Sequence, residues 1–502
     1  MPGSIRIPIR WDRLTEWLIA SVAVVLAVAV ARPYAGGWND GSRLATTETL
    51  VDRHTWRIDE STFVQVPDPG KTNTPLPYDP SEPGLSEHGT LDKLFIAGHY
   101  YSDKSPVPAL LLAGCYRVWQ TATGWTAHTH PDRFCAAMTW FSSGMAYVVS
   151  VLCIYQLGRR LEMPLSLRLD LTSSFALATV ALPYTHHVNN HILLLAVTST
   201  LTLTTAKLRD RMRQGQASWR QFFAMGSLAG LGYTIDLGAG PVILLCTSLY
   251  VLSNCLFNSP RSQKTSLRSP CHLFTLSPCL VFALAVLPWL GLHHALNYSI
   301  GGSWKPANAM PEYFRWPGSP FHLRNLTGSW VHSGAGSFLL YAASMLAGKR
   351  GFLGHNLPLF LALPAAVVLL RRHPEIRREL LWAVGCFGGI WLLYAATSNN
   401  SSGQCLSIRW FVPLLAPAYY VLALFLQRYP PYRVDFLVLS AWGVLLVLLM
   451  REGPWIRHMV PFFWPIQAAA LLSWAFCRYL RRPSAPPSPL PFSCSRYQTS
   501  VY

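Results

Sequence analysis

Long apolar runs constrain this chain more than any other feature. Three of them, Thr15 to Arg32, Phe134 to Leu157 and Leu273 to Leu292, approach the roughly 20 residues that an α-helix needs to cross a hydrocarbon core about 30 Å thick. Of the 502 residues, 51% are apolar and only 13% are charged, about half the usual charged share. The pattern predicts an all-α, polytopic membrane helical bundle. The net charge of +18 is therefore explained first by membrane topology, and no nucleic-acid partner is expected.

Basic connectors between the apolar runs predict the topology. If the Lys- and Arg-rich connectors face the cytosol, both termini are cytosolic and the chain crosses the membrane about twelve times. The predicted spans are residues 15–32, 134–157, 170–185, 190–206, 221–235, 238–256, 273–292, 357–371, 380–398, 410–426, 434–450 and 459–477. Two shorter apolar stretches, Val107 to Trp119 and Ser337 to Gly348, are predicted to lie at the outer interface. The first could instead cross as a short tilted span.

This topology divides the chain into a membrane domain and a tail. Residues 1–482 form one integral membrane domain with two large extracytosolic loops, residues 33–133 and 293–356. Residues 483–502 have the Pro- and Ser-rich composition of a disordered cytosolic tail. Within the first loop, a helix is predicted from Ser42 to Asp52.

Asp40 is the first candidate for chemistry. It follows the first span by about eight residues, so it should lie close to the membrane surface, with Arg43 one helical turn away. A carboxylate there could take a proton from the hydroxyl or amine of an acceptor. The alternative is a structural role as a helix N-cap, since Asp before a helical run caps it well.

A second group of polar residues precedes the first interfacial helix. Lys104 is a natural partner for a lipid phosphate at headgroup level, and the helix N-terminus after Pro106 favours an anion. Tyr101 is a candidate to assist it, and His99 is a weaker candidate for substrate binding. The alternative for Lys104 is snorkelling, in which the side chain only anchors a helix at the interface.

A third group lies at a predicted outer turn between two spans. His187, Asn190 and His191 could form hydrogen bonds to sugar or phosphate, and an ordinary polar turn is the alternative. His187 and His191 are four residues apart and could share a helical face, which raises the question of a metal. No carboxylate or cysteine accompanies them nearby, so no metal ligand is assigned.

Two further residues lie at predicted outer boundaries. Arg409, at the head of the tenth span, could hold a phosphate through two parallel hydrogen bonds, and a structural role is the alternative. Asp236, at the turn after the fifth span, is interpreted as a helix-end residue.

With these motifs, the chain resembles the polyprenyl-phosphate-dependent glycosyltransferases of the GT-C fold, which include the lipid A aminoarabinose transferases and protein O-mannosyltransferases. Asp40-Gly41-Ser42-Arg43-Leu44 stands where that family has an Asp-Glu-x-Arg-Tyr-like motif, and Lys104-Ser105-Pro106 where it has a Lys-Pro-Pro-like motif. The similarity covers the span plan and roughly the first 210 residues. The chain departs from the family at Gly41, at Ser105, and at Asn189 or Asn190, where an outer-turn Asp is usual.

The resemblance implies a GT-C-like fold and a glycosyltransferase that uses a lipid-phosphate donor of a hexose or pentose. By position, Asp40 would be the catalytic aspartate, Lys104 would bind the donor phosphate, and Arg43 matches the motif arginine. From their own predicted positions, Arg409 and Tyr101 are added as residues that help to bind the phosphate. The acceptor would be a lipid, glycan or protein at the extracytosolic face of the plasma or inner membrane. No cofactor is certain, although a divalent cation is possible.

Two other functions are left open by the sequence. A transporter or lipid flippase would show inverted repeats and ionisable residues near span centres. A catalytically inactive GT-C-like scaffold is compatible with Gly41 and with the missing second Asp.

Overall fold

The computed structural model describes residues 9–68, 74–214, 216–257, 272–322, 326–403, 405–455 and 460–481. Within these ranges the chain forms eighteen α-helices and one two-stranded antiparallel hairpin, so the all-α class is confirmed. The predicted disordered tail, residues 483–502, lies outside the described residues.

The helices follow one another with short connections, except in the two large loops. Their bounds are α1 (Ile9–Val30), α2 (Trp38–Asp52), α3 (Pro83–His88), α4 (Pro106–Thr123), α5 (Pro131–Thr139), α6 (Met145–Arg160), α7 (Leu165–Leu177), α8 (Asn190–Arg213), α9 (Trp219–Ile235), α10 (Ala239–Phe257), α11 (His272–Gly301), α12 (Ala335–Ala347), α13 (Phe352–His355), α14 (Ala362–Arg372), α15 (Arg377–Thr397), α16 (Leu415–Arg428), α17 (Arg433–Leu449) and α18 (Phe463–Leu480). The hairpin strands are β1 (Lys93–Ile96) and β2 (His99–Ser102).

Eight helical segments in the described ranges are long and apolar enough to cross a membrane. They are Asp12–Val30, Pro131–Arg160, Asn190–Arg213, Ala239–Leu256, Ser277–Gly301, Pro374–Thr397, Arg409–Arg428 and Pro430–Leu449. Each overlaps one of the twelve predicted spans. The chain is therefore an integral, multi-pass membrane protein, but the count of twelve is not confirmed.

The other four predicted spans are not among these eight segments, and the structure gives a physical reason for each. α7 has 13 residues and α9 has 17, so at about 1.5 Å per residue both are short for the bilayer core. Residues 357–371 belong to a helix pair, Ala335–His355 and Leu357–Arg372, bent by 115°, which would count as a ninth span if it crosses. Residues 459–477 correspond to α18, whose apolar character does not reach that of the eight spans.

The bundle is organised around α16. In the span Arg409–Arg428, 94% of the apolar window is buried inside the protein, compared with 11% in Asp12–Val30. α16 packs against α8, α14 and α15, which shield it from the membrane. The exposed apolar side chains of α1, such as Trp17 and Val25, are those expected to face lipid.

The first large loop folds over one end of the bundle. The predicted helix from Ser42 is observed as α2 but begins at Trp38, and the predicted interfacial helix is observed as α4, which packs against α2. The loop has an apolar core of its own. That core includes Leu44, Phe63, Tyr78, Tyr116 and Phe134. α2 is thus held firmly, and its first turn carries Asp40 into the protein.

Candidate active site

Asp40 lies in the first turn of α2 and is completely buried. The N-cap residue of this helix is Gly37, so the N-cap alternative for Asp40 is wrong. Its Oδ2 accepts a hydrogen bond from the Gly36 N–H at 2.7 Å. Burial raises the pKa of Asp40 to about 7, against the opposing effects of backbone N–H groups and the Arg43 charge. Asp40 is therefore close to half ionised near neutral pH, as a general base requires.

His187 is the side chain that faces Asp40. Its Nδ1 lies 3.4 Å from Asp40 Oδ2, and both side chains are buried. Burial lowers the pKa of His187 to about 3, and the charges of His186 and Arg32 act in the same direction. The imidazole is therefore neutral. Asp40 Oδ1 is buried and has no hydrogen-bond partner among the described residues.

Lys104 is held between two carboxylates. Its Nζ lies 2.6 Å from Asp92 Oδ2 and 2.7 Å from Asp103 Oδ2, and its side chain is only 12% exposed. Snorkelling alone does not describe this position, because the ammonium points to buried carboxylates. Burial raises the pKa of Asp92, but the charge and hydrogen bond of Lys104, together with the charges of Arg409 and Arg43, outweigh it, and the net effect is a lowered pKa. Burial and the charge of Asp92 raise the pKa of Asp103.

Asp92 joins the hairpin to α2. Asn39 Nδ2 donates to Asp92 Oδ2 at 3.5 Å, and Ser42 Oγ donates to the Asp92 carbonyl oxygen at 2.6 Å. Arg43 donates from its guanidinium to the Asn39 carbonyl oxygen at 2.7 Å. Through this network Lys104 and Arg43 lie on the same side of α2. Burial lowers the pKa of Arg43 to about 10, so its side chain stays cationic at neutral pH.

Arg409 reaches the same region from a distant part of the chain. It opens a short 3-10 helix, Arg409–Leu414, and its backbone N–H donates to Ser402 Oγ at 3.1 Å. Its guanidinium carbon lies 5.4 Å from the Trp455 ring centroid. The Arg409 charge lowers the pKa of Asp92 and of Arg43, which places its guanidinium within electrostatic reach of both.

The turn before α8 brings in the remaining candidates. His187 precedes α8, which begins at Asn190, so His187 and His191 do not share a helical face. Asn189 is the N-cap residue, and its side chain accepts from the His191 N–H. His187 faces Asp40, whereas His191 faces Asp236. In the described part of the chain, no three His, Cys, Asp or Glu side chains are grouped so as to hold a metal ion.

Asp236 has a larger role than the sequence indicated. Its Oδ2 accepts from Asn190 Nδ2 at 2.9 Å and lies 3.4 Å from His191 Nδ1. Its Oδ1 accepts from the Ala239 N–H at 2.8 Å and from the Tyr394 hydroxyl at 2.9 Å. Burial raises the pKa of Asp236, but these partners outweigh it and lower the pKa. Asp236 is thus a buried carboxylate anchored from several elements.

Two predicted residues lie at the edge of this region, on β2. Tyr101 pairs with Leu94 across the hairpin, and its ring packs against the small apolar cluster that contains Leu94 and Phe314. His99 lies next to the hairpin turn, with Nδ1 3.4 Å from Asp59 Oδ2, and its side chain is 39% exposed. Within the described residues, the ion pair of His99 and the apolar packing of Tyr101 do not involve Lys104, Arg43 or Arg409.

Sequence reasoning missed Asp92 and Asp103 and gave Asp236 a purely structural role. Asp103 stands directly before Lys104, so adjacency was a usable signal for that residue. Asp92 is 12 positions from Lys104, and Asp236 is 46 positions from Asn190. Tertiary packing brings these two pairs of residues together, and no local spacing in the sequence predicts them.

No protein-family model matches the chain, and no curated protein matches it in sequence. Among solved structures, the chain is similar to ArnT from Cupriavidus metallidurans bound to undecaprenyl phosphate, with a TM-score of 0.50 and 13% identity over 93% of this chain and 72% of that chain. The apo state of that ArnT gives a TM-score of 0.49 at 13% identity, covering 94% and 73% of the two chains. Arabinosyltransferase EmbB from Mycobacterium smegmatis gives 0.49 at 13% identity, covering 97% of this chain and 39% of that chain. The likeness to the undecaprenyl phosphate-bound ArnT confirms the GT-C-like fold.

Proposed function

We propose that this chain is a membrane glycosyltransferase that moves a sugar from a polyprenyl-phosphate carrier to a lipid, glycan or protein acceptor at the extracytosolic face. The observation that carries the proposal is the joint placement of a buried carboxylate with a pKa of about 7, Asp40, and three cationic side chains on one side of α2. The ArnT structure of the same fold holds undecaprenyl phosphate, which supports a polyprenyl-linked donor.

Asp40 acts as the general base in this reaction. As the acceptor oxygen or nitrogen forms a bond to the anomeric carbon, its proton passes to Asp40 Oδ1, which has no partner among the described residues. The bond between the anomeric carbon and the phosphate oxygen breaks at the same time. Its electron pair leaves with the polyprenyl phosphate.

Lys104, Arg43 and Arg409 bind the departing phosphate. Together they carry three positive charges, whereas Asp92 and Asp103 carry at most two negative charges. This net positive charge attracts the polyprenyl phosphate, whose negative charge increases as its bond to the sugar breaks. Arginine adds paired hydrogen bonds to phosphate oxygens, which a single ammonium cannot form.

The extracytosolic placement of the site is also part of the proposal. No candidate span lies between Val30 and Pro131, so the described parts of the first loop stay on one side of the membrane. α8 starts at this end and has 24 residues, or about 36 Å, so Arg213 lies at the opposite end. The basic side chains gathered there, such as Arg160 and Arg209, fit the cytosolic side.

Sugar transfer in proteoliposomes tests the proposal. Wild type should transfer a labelled sugar from at least one member of a panel of polyprenyl-phosphate-linked pentoses and hexoses. Asp40→Asn should lower the rate by about 10²- to 10⁴-fold, the usual contribution of a general base. Asp52→Asn is the matched control, because Asp52 lies at the other end of α2 and only accepts bonds from Tyr116 and Gln120.

The outcomes separate the rival functions. An unchanged rate in Asp40→Asn would remove Asp40 from the mechanism. Movement of a labelled polyprenyl phosphate between leaflets without sugar transfer would favour a flippase. Binding of the carrier without either activity would favour an inactive scaffold.

A further inference from the structure

The turn before α8 gathers buried polar atoms that have no hydrogen-bond partner among the described residues. They include Asn189 Nδ2 and Asn190 Oδ1, with Arg409 Nε and Trp455 Nε1 nearby. A buried polar atom without a partner loses its hydrogen bonds to water and gains none in the protein, so each such atom in a folded protein needs an explanation. A cluster at one turn is explained by a ligand that supplies the missing bonds.

Asp236 fixes which atoms Asn190 and His191 present. Because the Asn190 amide donates from Nδ2 to Asp236 Oδ2, its free atom is the carbonyl oxygen Oδ1, which can only accept. His191 Nδ1 faces the same carboxylate at 3.4 Å, which favours the proton on Nδ1 and leaves Nε2 as an acceptor. Asp236 itself is immobilised by Tyr394 and by the first turn of α10.

Two fixed acceptors select the chemistry of the ligand. A phosphate offers acceptors and needs donors, so Asn190 Oδ1 and His191 Nε2 cannot bind a phosphate dianion. A sugar offers hydroxyl groups, each of which donates one hydrogen bond and accepts others. We propose that Asn190 and His191, positioned by Asp236, form a subsite for the hydroxyl groups of the transferred sugar.

The surroundings place this subsite next to the phosphate. The charges of Arg43, Lys104 and Arg409 all act on His191, so its imidazole lies within electrostatic reach of the three proposed phosphate ligands. In a polyprenyl-phosphate-linked sugar, the sugar is bonded directly to the phosphate. The subsite therefore rests on the proposed function, and it assigns the region between the cations and Asp236 to the sugar of the donor.

Binding of two ligands that differ only by the sugar tests the subsite without requiring turnover. Undecaprenyl phosphate and an undecaprenyl-phosphate-linked pentose are titrated against the purified full-length chain. The wild type should prefer the sugar-bearing ligand. Asn190→Ser and His191→Gln should each weaken binding of that ligand by about tenfold, in line with one lost hydrogen bond to a buried group. Binding of undecaprenyl phosphate should change by less than about twofold.

Asn356→Ser is the matched control. Asn356 is also a buried asparagine, but its amide is fully occupied by the Val180 N–H and the Phe352 carbonyl oxygen. It should leave the preference for the sugar-bearing ligand unchanged, whatever its effect on folding.

Asp236→Asn tests the positioning role. It should weaken the sugar-bearing ligand at least as much as Asn190→Ser does, and adding Asn190→Ser to it should cause no further loss, because Asp236 acts on the sugar through the side chains that it orients.

Equal weakening of both ligands in these variants would overturn the subsite, and so would a wild type with no preference for the sugar. A wild type that prefers the sugar-bearing ligand but transfers no sugar would count against the proposed reaction and would leave the subsite standing.

Discussion

At the scale of single residues, burial decides what Asp40 can do. An exposed aspartate is fully ionised at neutral pH and is a weak base, whereas desolvation in the first turn of α2 brings its pKa to about 7. Desolvation lowers the pKa of the neighbouring His187 to about 3, so its neutral imidazole is a much weaker base than the Asp40 carboxylate. The carboxylate thus becomes the group in this pair that titrates near physiological pH.

The rate of sugar transfer should follow the ionisation of Asp40. Since the base must be deprotonated, kcat/KM should rise about tenfold per pH unit below pH 7 and level off above it. A pH–rate profile of the wild type checks this. The small residual activity of Asp40→Asn should not show this rise of kcat/KM with pH. A wild-type profile that is flat from pH 5 to 8 would contradict the assignment of Asp40 as the general base.

Stability should move in the opposite direction with pH. The pKa of Asp40 is raised from 3.8 to about 7 in the folded chain, so the folded chain holds a proton that the unfolded chain releases. The stabilising contribution is complete below about pH 4 and is lost as the pH rises through 7. Thermal unfolding of the solubilised protein should show this trend in wild type and a weaker trend in Asp40→Asn.

Gly41 is explained by Tyr78. A Cβ at position 41 would lie 2.3 Å from the Tyr78 hydroxyl oxygen and 2.9 Å from a ring carbon, and Tyr78 is buried with its hydroxyl bonded to the Phe63 carbonyl oxygen. Gly41→Ala should therefore lower stability by about 1 to 3 kcal/mol through overpacking. Tyr78→Phe removes the hydroxyl oxygen, the atom nearest to the added Cβ. The double variant should therefore lose less stability than the sum of the losses in Gly41→Ala and Tyr78→Phe. Additive melting-temperature losses would show that no such contact limits position 41.

At the scale of secondary structure, the hairpin, α2 and the start of α4 form one unit through Lys104. Removing the ammonium by Lys104→Met leaves Asp92 and Asp103 buried beside each other without their counter-charge. Breaking a buried ion pair in this way costs about 3 to 5 kcal/mol. The loss should be larger at alkaline pH than at acidic pH, because burial raises the pKa of Asp103, which therefore protonates before Asp92.

Lys93→Met is the control for this experiment. Lys93 lies on β1 of the same hairpin, but its Nζ lies over the Tyr100 ring, 4.4 Å from its centroid. Its replacement should cost less, about 0.5 to 2 kcal/mol. Equal losses in both variants at pH 8 would show that the carboxylates do not depend on Lys104.

The same elements show what the sequence could predict. The sequence predicts Asp40 because it follows the first span by about eight residues, Arg43 because it lies one helical turn further on, and Lys104 because it precedes a helix that starts with proline. α7 was predicted as a span because its apolar character continues past Leu177, although the helix ends there and a 3-10 turn follows. Hydropathy reports burial, but it does not distinguish burial in lipid from burial in protein.

At the scale of the whole molecule, α8 connects the two ends of the bundle. Its N-terminus holds Asn190 and His191 at the site, and its C-terminal turn carries Arg211 and Arg213. The positive-inside rule then predicts that the site lies outside the cytosol, as proposed above. Two exposed alanines mark the ends: Ala122 near the end of α4, and Ala217 between α8 and α9.

Labelling of these positions tests the orientation. If the first loop faces outward, as proposed, a membrane-impermeant maleimide should modify Ala122→Cys in intact cells above the level of the unsubstituted protein. Ala217→Cys should be modified only after the membrane is permeabilised, since α8 places it about 36 Å away on the cytosolic side. Both substitutions replace an exposed alanine, so differences in burial do not explain a difference in labelling. The reverse pattern would put Asp40 and its cations in the cytosol, and the donor would then have to be used on the inner leaflet.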